Sequence, residues 1–347
     1  MGMPRLQTIL FRTLAPAALV LLTPLAGEAR ATSPSEASFK NWTVVCDNLH
    51  NCEADGFAAD ALDKPAILRL TRGGAPGAPA RVEIVLLDDV GDINGKPLGL
   101  AIDGRPLLMV KAGKNASAKL ADAQVGPLLG AARNGTALSI SLEDNAVGMV
   151  SLAGMVAALR LVDDQQGRVG TVTAMVAKGA APLSAVPPQP ALPVVRRAPA
   201  VAQTGLAAKP PASVKALADK AGCEVDQDAA PGESEAHRLS ADKVLWQIPC
   251  GAGAYNYTSL FVVTDNKGGV ARLAPLDGAD DGMATNAQYD PKTRLLGAYD
   301  KGRGVGDCGE SLQWAWTGQA FALTHAASMP VCQGQGDWPT WYQAKVE

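Results

Sequence analysis

The sequence has few of the residues on which most metal and catalytic centres depend. Its 347 residues include three histidines and six cysteines, which leaves little material for a metal cluster. It also lacks an excess of basic residues: the formal net charge is −3, whereas bulk binding of nucleic acid needs a basic field. Beyond the N-terminal segment, no apolar run reaches the roughly 20 residues of a membrane-spanning helix. These shortages disfavour a nucleic-acid-binding protein, a metalloprotein and a membrane-spanning protein.

The first 31 residues have the pattern of a secretory signal peptide. Arg5 and Arg12 supply a basic start, an apolar run covers residues 14–25, and Ala29-Arg30-Ala31 forms a small-x-small cleavage pattern. The apolar run is short and contains two prolines, which favours a cleaved signal over a membrane anchor. We therefore expect a periplasmic or secreted protein with no transmembrane segment after cleavage.

The cysteines should form disulfides, because an exported chain folds under oxidising conditions and their number is even. They are Cys46, Cys52, Cys223, Cys250, Cys308 and Cys332. We expect the first two to pair, since they stand alone in the first half of the chain. The other four allow three pairings, and we favour the third with the fourth and the fifth with the sixth. Metal ligation by Cys46, His50 and Cys52 is the alternative, but their spacing does not match a zinc knuckle, and we predict no metal or cofactor.

Length and composition predict two domains, mainly β with minor α. Residues 39–177 should form a β-sandwich-like domain with one or two helices, and residues 214–347 a tryptophan-rich antiparallel β-meander. Between them, residues 178–213 contain eight prolines and are predicted to be a disordered Pro/Ala-rich linker. With 47% hydrophobic residues, both flanking parts can fold around buried cores.

Local patterns place individual elements within these domains. In the first, an Asp103-Gly104 turn predicts a hairpin, and Ser151 is expected to cap a helix that ends at Gly167. Further predicted elements are strands at 42–45, 81–87 and 137–142 and a helix at 122–133. In the second domain, turns at 265–269, 290–293 and 317–319 predict three successive hairpins.

Several strings of residues resemble a bacterial secreted family catalogued only as domain of unknown function 1176. They are FKNWTVVCDN from Phe39, LWQIPC from Leu245, GAYN from Gly253, KGRGVGDCG from Lys301 and WAWTG from Trp314. The FxxWxVxC string and the SLAGM segment from Ser151 also resemble the invasion-associated locus B family. The resemblance implies an exported envelope protein, associated with host interaction in some bacteria, and supplies no catalytic residues.

The sequence contains one candidate binding loop and no recognisable set of catalytic residues. No GxSxG elbow is present, and the GxGxxG match at 304–309 lacks the following helix that a phosphate cradle needs. The same glycine-rich loop carries Arg303 and Asp307 and would be tethered by a disulfide. Trp314 and Trp316, on one face of a predicted strand, could lie beside it. The alternatives are a tight turn with Arg303 paired to Asp307, and tryptophans that fill the core.

The residues therefore favour a non-catalytic exported protein that binds another envelope or host protein. A cell-wall glycan-binding protein or hydrolase, acting through the tryptophan-rich domain, is the first alternative. An inhibitor that inserts the loop into the cleft of a hydrolase is the second.

Overall fold

The computed structural model describes residues 35–59, 64–223, 233–279, 281–334 and 336–347. The predicted signal peptide at residues 1–31 lies outside the described residues. The described chain is mostly β, as predicted, with several antiparallel sheets and three α-helices. None of the helices in this described part has the length and apolar content of a membrane span.

Two antiparallel sheets and two helices form the first half, down to residue 177. One sheet has six strands in the order β1-β2-β3-β4-β5-β8, and the other has four in the order β10-β9-β6-β7. The strands are β1 (Ser35–Phe39), β2 (Trp42–Cys46), β3 (Cys52–Gly56), β4 (Ala66–Arg72), β5 (Ala80–Leu86), β6 (Pro97–Ile102), β7 (Arg105–Lys111), β8 (Ser117–Lys119), β9 (Ala137–Leu142) and β10 (Asn145–Ser151). The helices are α1 (Asp122–Ala132) and α2 (Met155–Gln165).

Apolar side chains from both sheets and both helices share one core, as the alternation along the strands predicts. At its centre the Trp42 indole nitrogen donates a 2.9 Å hydrogen bond to the carbonyl oxygen of Ser151. A Cβ atom at Gly56 would lie 2.4 Å from the Trp42 ring, so only glycine fits beside this tryptophan. The predicted hairpin is present, with Asp103 and Gly104 both at positive φ as its two-residue turn requires.

Helix α2 begins later than predicted. Ser151 is the last residue of β10 rather than a helix cap, because its backbone nitrogen donates to the carbonyl oxygen of Phe57. The residue before the helix is Gly154, whose φ of 105° and close approach to Phe39 need glycine. The predicted helix cap was therefore wrong by three residues, since a sheet contact distant in sequence competes with local capping.

The second half contains two further sheets. Strands β12 to β15 form one in sequence order, with β16 also paired to β14, and β17 to β21 form an antiparallel meander. The strands are β12 (Glu235–Arg238), β13 (Lys243–Ala252), β14 (Tyr257–Asp265), β15 (Ala271–Leu273), β16 (Met283–Thr285), β17 (Gln288–Asp290), β18 (Leu295–Lys301), β19 (Gly309–Trp316), β20 (Phe321–Met329) and β21 (Thr340–Gln343). The helix α3 (Ala212–Lys220), which we did not predict, buries Val214 and Ala218 against the first of these sheets.

The Pro/Ala-rich segment 178–213, expected to be a disordered linker, has defined contacts. Its strand β11 (Val194–Val195) pairs in parallel with β22 (Lys345–Val346) near the end of the chain. Earlier in the segment, Gln189 donates a 3.1 Å hydrogen bond to Asn51 in the first half. The proposed division into two domains at these boundaries stays a prediction.

The two halves also meet directly. Phe57 and Ile67 from the first half pack with Cys308 and Met329 from the second in a small buried cluster. The outer face of the six-stranded sheet is thus partly covered by the C-terminal part of the chain.

Candidate functional site

The predicted binding loop lies between β18 and β19 and extends into solvent. Residues 302–305 are exposed, and Val305 near its tip has 78% of its surface accessible. This is the largest exposed fraction among the large apolar side chains of the described residues. The loop therefore presents an apolar side chain to solvent.

A disulfide and a close backbone approach hold the base of this loop. Cys308 is bonded to Cys332, and the backbone nitrogen of Gly302 donates a 2.8 Å hydrogen bond to the carbonyl oxygen of Cys308. A Cβ atom at Gly309 would lie 1.9 Å from the carbonyl oxygen of Asp300, and its φ is 134°. Strands β18 and β19 can approach each other this closely at the base of the loop only because residue 309 is glycine. All three predicted disulfides are present, including Cys46–Cys52 and Cys223–Cys250.

Two tyrosines hold the flanks of the loop. The Tyr255 hydroxyl donates to the carbonyl oxygen of Gly302 at 3.2 Å, and the Tyr299 hydroxyl donates to that of Gly306. The ring of Tyr299 in turn stacks on Trp338, with centroids 5.0 Å apart. Tyr255 is 47 positions from Gly302, and no local motif predicted either of the tyrosine hydrogen bonds.

Arg303 and Asp307 form an ion pair across the loop, as one of our alternatives predicted. The Arg303 Nε atom lies 2.6 Å from Asp307 Oδ1, and Nη2 contacts Oδ2. Asp307 also accepts a 2.6 Å hydrogen bond from the backbone nitrogen of Gly334. The bond from Arg303 is the main reason that the pKa of Asp307 falls to about 2, against the opposing effect of burial. The ion pair therefore restrains the loop at neutral pH.

The structure does not bring Trp314 and Trp316 to this loop. Both are almost fully buried in the core of the second half, and the Trp314 indole nitrogen donates to the carbonyl oxygen of Asp277. Five residues of strand separate Trp314 from Gly309, a distance of about 17 Å. The core-filling alternative therefore describes these two side chains. A different tryptophan, Trp338, stacks on Tyr299 at the flank of the loop.

Asp307, Cys308 and Cys332 place one potential ligand atom each within 4.8 Å of one another. The two sulfurs are joined in a disulfide, and the carboxylate already binds Arg303 and Gly334. This donor set does not fit a metal ion, because a metal needs thiolates rather than disulfide sulfurs.

A second polar region, which the sequence did not predict, surrounds Arg69. On the outer face of the six-stranded sheet, Arg69 binds Asp55 through two 3.1 Å hydrogen bonds, and its Nε lies 2.9 Å from Glu53. The sequence signal was the alternation of β3 and β4, which places polar residues on the face opposite the apolar core. That face would ordinarily be solvated, and only the tertiary structure shows that the second half covers it.

Comparison with known proteins identifies the family of the chain. A family model described as "Protein of unknown function (DUF1176)" matches residues 36–345. The uncharacterized protein YpfG of Escherichia coli (strain K12) is 31% identical over 348 residues, an alignment that covers 89% of this chain and 92% of the relative. No solved structure matches the chain. The resemblance to the invasion-associated locus B family is not shown by these comparisons. The chain belongs to the DUF1176 family.

Proposed function

We propose that this protein is an exported, non-catalytic binding protein that holds another envelope or host protein through the loop at residues 302–307. One observation carries the proposal: Val305 is 78% exposed on a loop whose base and flanks are all held by contacts. The three disulfides support an oxidising location in the periplasm or outside the cell.

The restraint of the loop is what favours binding. A flexible loop loses conformational entropy when a partner orders it, and this loss weakens the complex. Here the disulfide, the Arg303–Asp307 ion pair and the two tyrosine hydrogen bonds have already ordered the loop in the free protein. A partner with a small apolar pocket can therefore receive Val305 at little entropic cost.

The test is site-specific photocrosslinking in the living source cell. A photoreactive amino acid replaces Val305 in one variant and Val270 in the control. Val270 is also exposed, at 68%, but precedes β15 in a different turn. We expect position 305 to capture one abundant protein that position 270 does not capture, with mass spectrometry identifying the product. Equal products at both positions, or none, would refute the proposal.

A second pair of variants separates binding from folding. Val305→Asp should abolish capture from a crosslinker placed at Lys301, whereas Val270→Asp should leave it unchanged, with equal melting temperatures for both variants. If the captured protein is a hydrolase and the purified wild type inhibits it, the inhibitor alternative describes the partner. Enrichment of glycan fragments without a protein would overturn the proposal in favour of the glycan-binding alternative.

A further inference from the structure

A groove of about 550 Å³ with mixed polar and apolar lining runs between the outer face of the six-stranded sheet and the C-terminal segment. Its floor includes Glu53, Thr71 and Arg81, and its opposite wall includes Trp338 and Thr340. The volume lies within the range of about 300 to 1,000 Å³ that small-ligand sites occupy. The groove is separate from the loop that carries the proposed function.

The floor is a row of three different polar groups on adjacent strands. Glu53 on β3 pairs with Thr71 on β4, which pairs with Arg81 on β5. Residues paired in this way point to the same face of a sheet, and neighbouring strands lie about 4.8 Å apart. A carboxyl group, a hydroxyl and a guanidinium therefore follow one another, with about 10 Å between the strands at the two ends.

The carboxyl end of this row has an unusual charge balance. Glu53 and Asp55 both contact the guanidinium of Arg69. Asp55 is fully buried and accepts two hydrogen bonds from this guanidinium. Two carboxyl groups thus face one cation, and Asp337 adds a further negative charge from the opposite segment. Burial first, and then the charge of Asp55, raise the pKa of Glu53 to about 8, against the opposing effect of Arg69. Glu53 consequently keeps its proton at neutral pH, and it ionises when another cation stabilises its carboxylate.

The opposite wall is held in place as firmly as the floor. Trp338 stacks on Tyr299, and the Gln343 side chain donates a 2.6 Å hydrogen bond to Asp47 Oδ2. Asp47 is itself fixed by the backbone nitrogens of Leu49 and Asn51, each 2.8 Å from its Oδ1 atom. Both walls are therefore ordered before a ligand enters, which lowers the entropic cost of binding.

We propose that this groove binds a short peptide with free termini, its ammonium group at Glu53, its amide at Thr71 and its carboxylate at Arg81. Because Glu53 ionises when the ammonium group binds, the complex has opposite charges at the two ends of the floor, which favours a dipolar ligand over a neutral one. An extended chain spans at most about 3.6 Å per residue, so a tripeptide matches the separation of the two ends. When the ammonium group binds, Glu53 releases its proton to the buffer and forms an ion pair.

Isothermal titration calorimetry of the oxidised mature chain with trialanine at pH 7 tests this site. We expect binding that is at least tenfold weaker for N-acetyl-trialanine and for trialanine amide, because each lacks one terminal charge. Glu53→Gln and Arg81→Gln should weaken trialanine binding by a similar factor. Arg105→Gln and Glu143→Gln, exposed positions outside the groove, should bind as the wild type does.

Proton release provides a readout that a merely structural role of Glu53 would not change. In buffers of different ionisation enthalpy, the apparent binding enthalpy should vary as expected for about one proton released per peptide at pH 7, given the raised pKa. The variation should disappear in Glu53→Gln. Absence of trialanine binding would overturn the proposal, as would equal binding of blocked peptides or unchanged binding by Arg81→Gln, whose exposed position does not threaten folding. Binding of chitotriose without trialanine would also overturn it and identify the groove as a glycan site.

Discussion

The side chain of Asn48 forms two hydrogen bonds with the backbone of Gln343, one to its carbonyl oxygen and one from its nitrogen, as a neighbouring strand would. Asn48 Nδ2 donates to the carbonyl oxygen of Gln343 at 3.0 Å, and the backbone nitrogen of Gln343 donates to Asn48 Oδ1 at 2.9 Å. These two residues are 295 positions apart, and they join the turn after β2 to β21. Because Gln343 lines the groove, this reciprocal pair helps to fix the position of that wall.

Asn48→Ala should destabilise the protein, because it leaves both backbone groups of Gln343 without these partners. We expect a loss of about 1 to 3 kcal/mol in the free energy of unfolding. Urea denaturation followed by tryptophan fluorescence measures it. The matched control is Asn134→Ala at an exposed position after α1, which should change the free energy by less than about 0.5 kcal/mol. An equal effect of the two substitutions would contradict this role of Asn48.

Arg168→Ala should be more damaging still. The guanidinium of Arg168 is fully buried and donates to the carbonyl oxygens of Ala75 and Pro76, each at 2.7 Å, and to the side chain of Gln166. Its removal leaves these acceptors unsatisfied beside a cavity, at a cost of about 3 kcal/mol or more. Thermal unfolding of this variant, compared with Arg160→Ala on the exposed side of α2, checks the prediction. Near-equal melting temperatures for the two variants would refute it.

The ion pair in the loop should stabilise the protein in a defined pH range. The pKa of Asp307 is about 2 in the folded protein and about 3.9 in an unfolded chain. Because the folded pKa is the lower one, the stabilisation is present above about pH 4 and is lost as the pH falls through 2. The difference in melting temperature between wild type and Asp307→Asn should therefore shrink between pH 5 and pH 2. A constant difference over this range would show that the charge of Asp307 does not contribute.

Glu53 should have the opposite dependence on pH. Its folded pKa of about 8 lies above the value of about 4.3 in an unfolded chain, so the folded state binds the extra proton. The contribution of this group is greatest below about pH 4 and is lost as the pH rises through 8. In Glu53→Gln, which cannot ionise, the decline in stability from pH 5 to pH 9 should be smaller than in wild type. Glu83→Gln, on the same sheet face, is the control, and an equal decline in both variants would contradict the assignment.

Local patterns were sufficient for much of the fold. Alternating apolar residues predicted β2, β5 and β9, and the Asp103-Gly104 pair predicted its hairpin turn, because both signals act between near neighbours. The predicted start of α2 was wrong because it, too, was judged from near neighbours alone. Ser151 has the side chain of a helix cap, but its backbone nitrogen donates a hydrogen bond to the carbonyl oxygen of Phe57, which is distant in sequence. Helix α3 was missed because the surrounding chain is rich in proline and its apolar face is small.

By itself, the sequence determined the mainly β class and favoured the observed pairing of the cysteines, although three pairings of the last four cysteines stayed open until the structure showed which one forms. Only the tertiary structure decided what the polar residues do. It buried Trp314 and Trp316, brought Tyr255 to one flank of the loop, and placed the C-terminal segment over the row from Glu53 to Arg81. The physical reason is that these contacts join residues far apart in the chain, and they form only when separate sheets pack together.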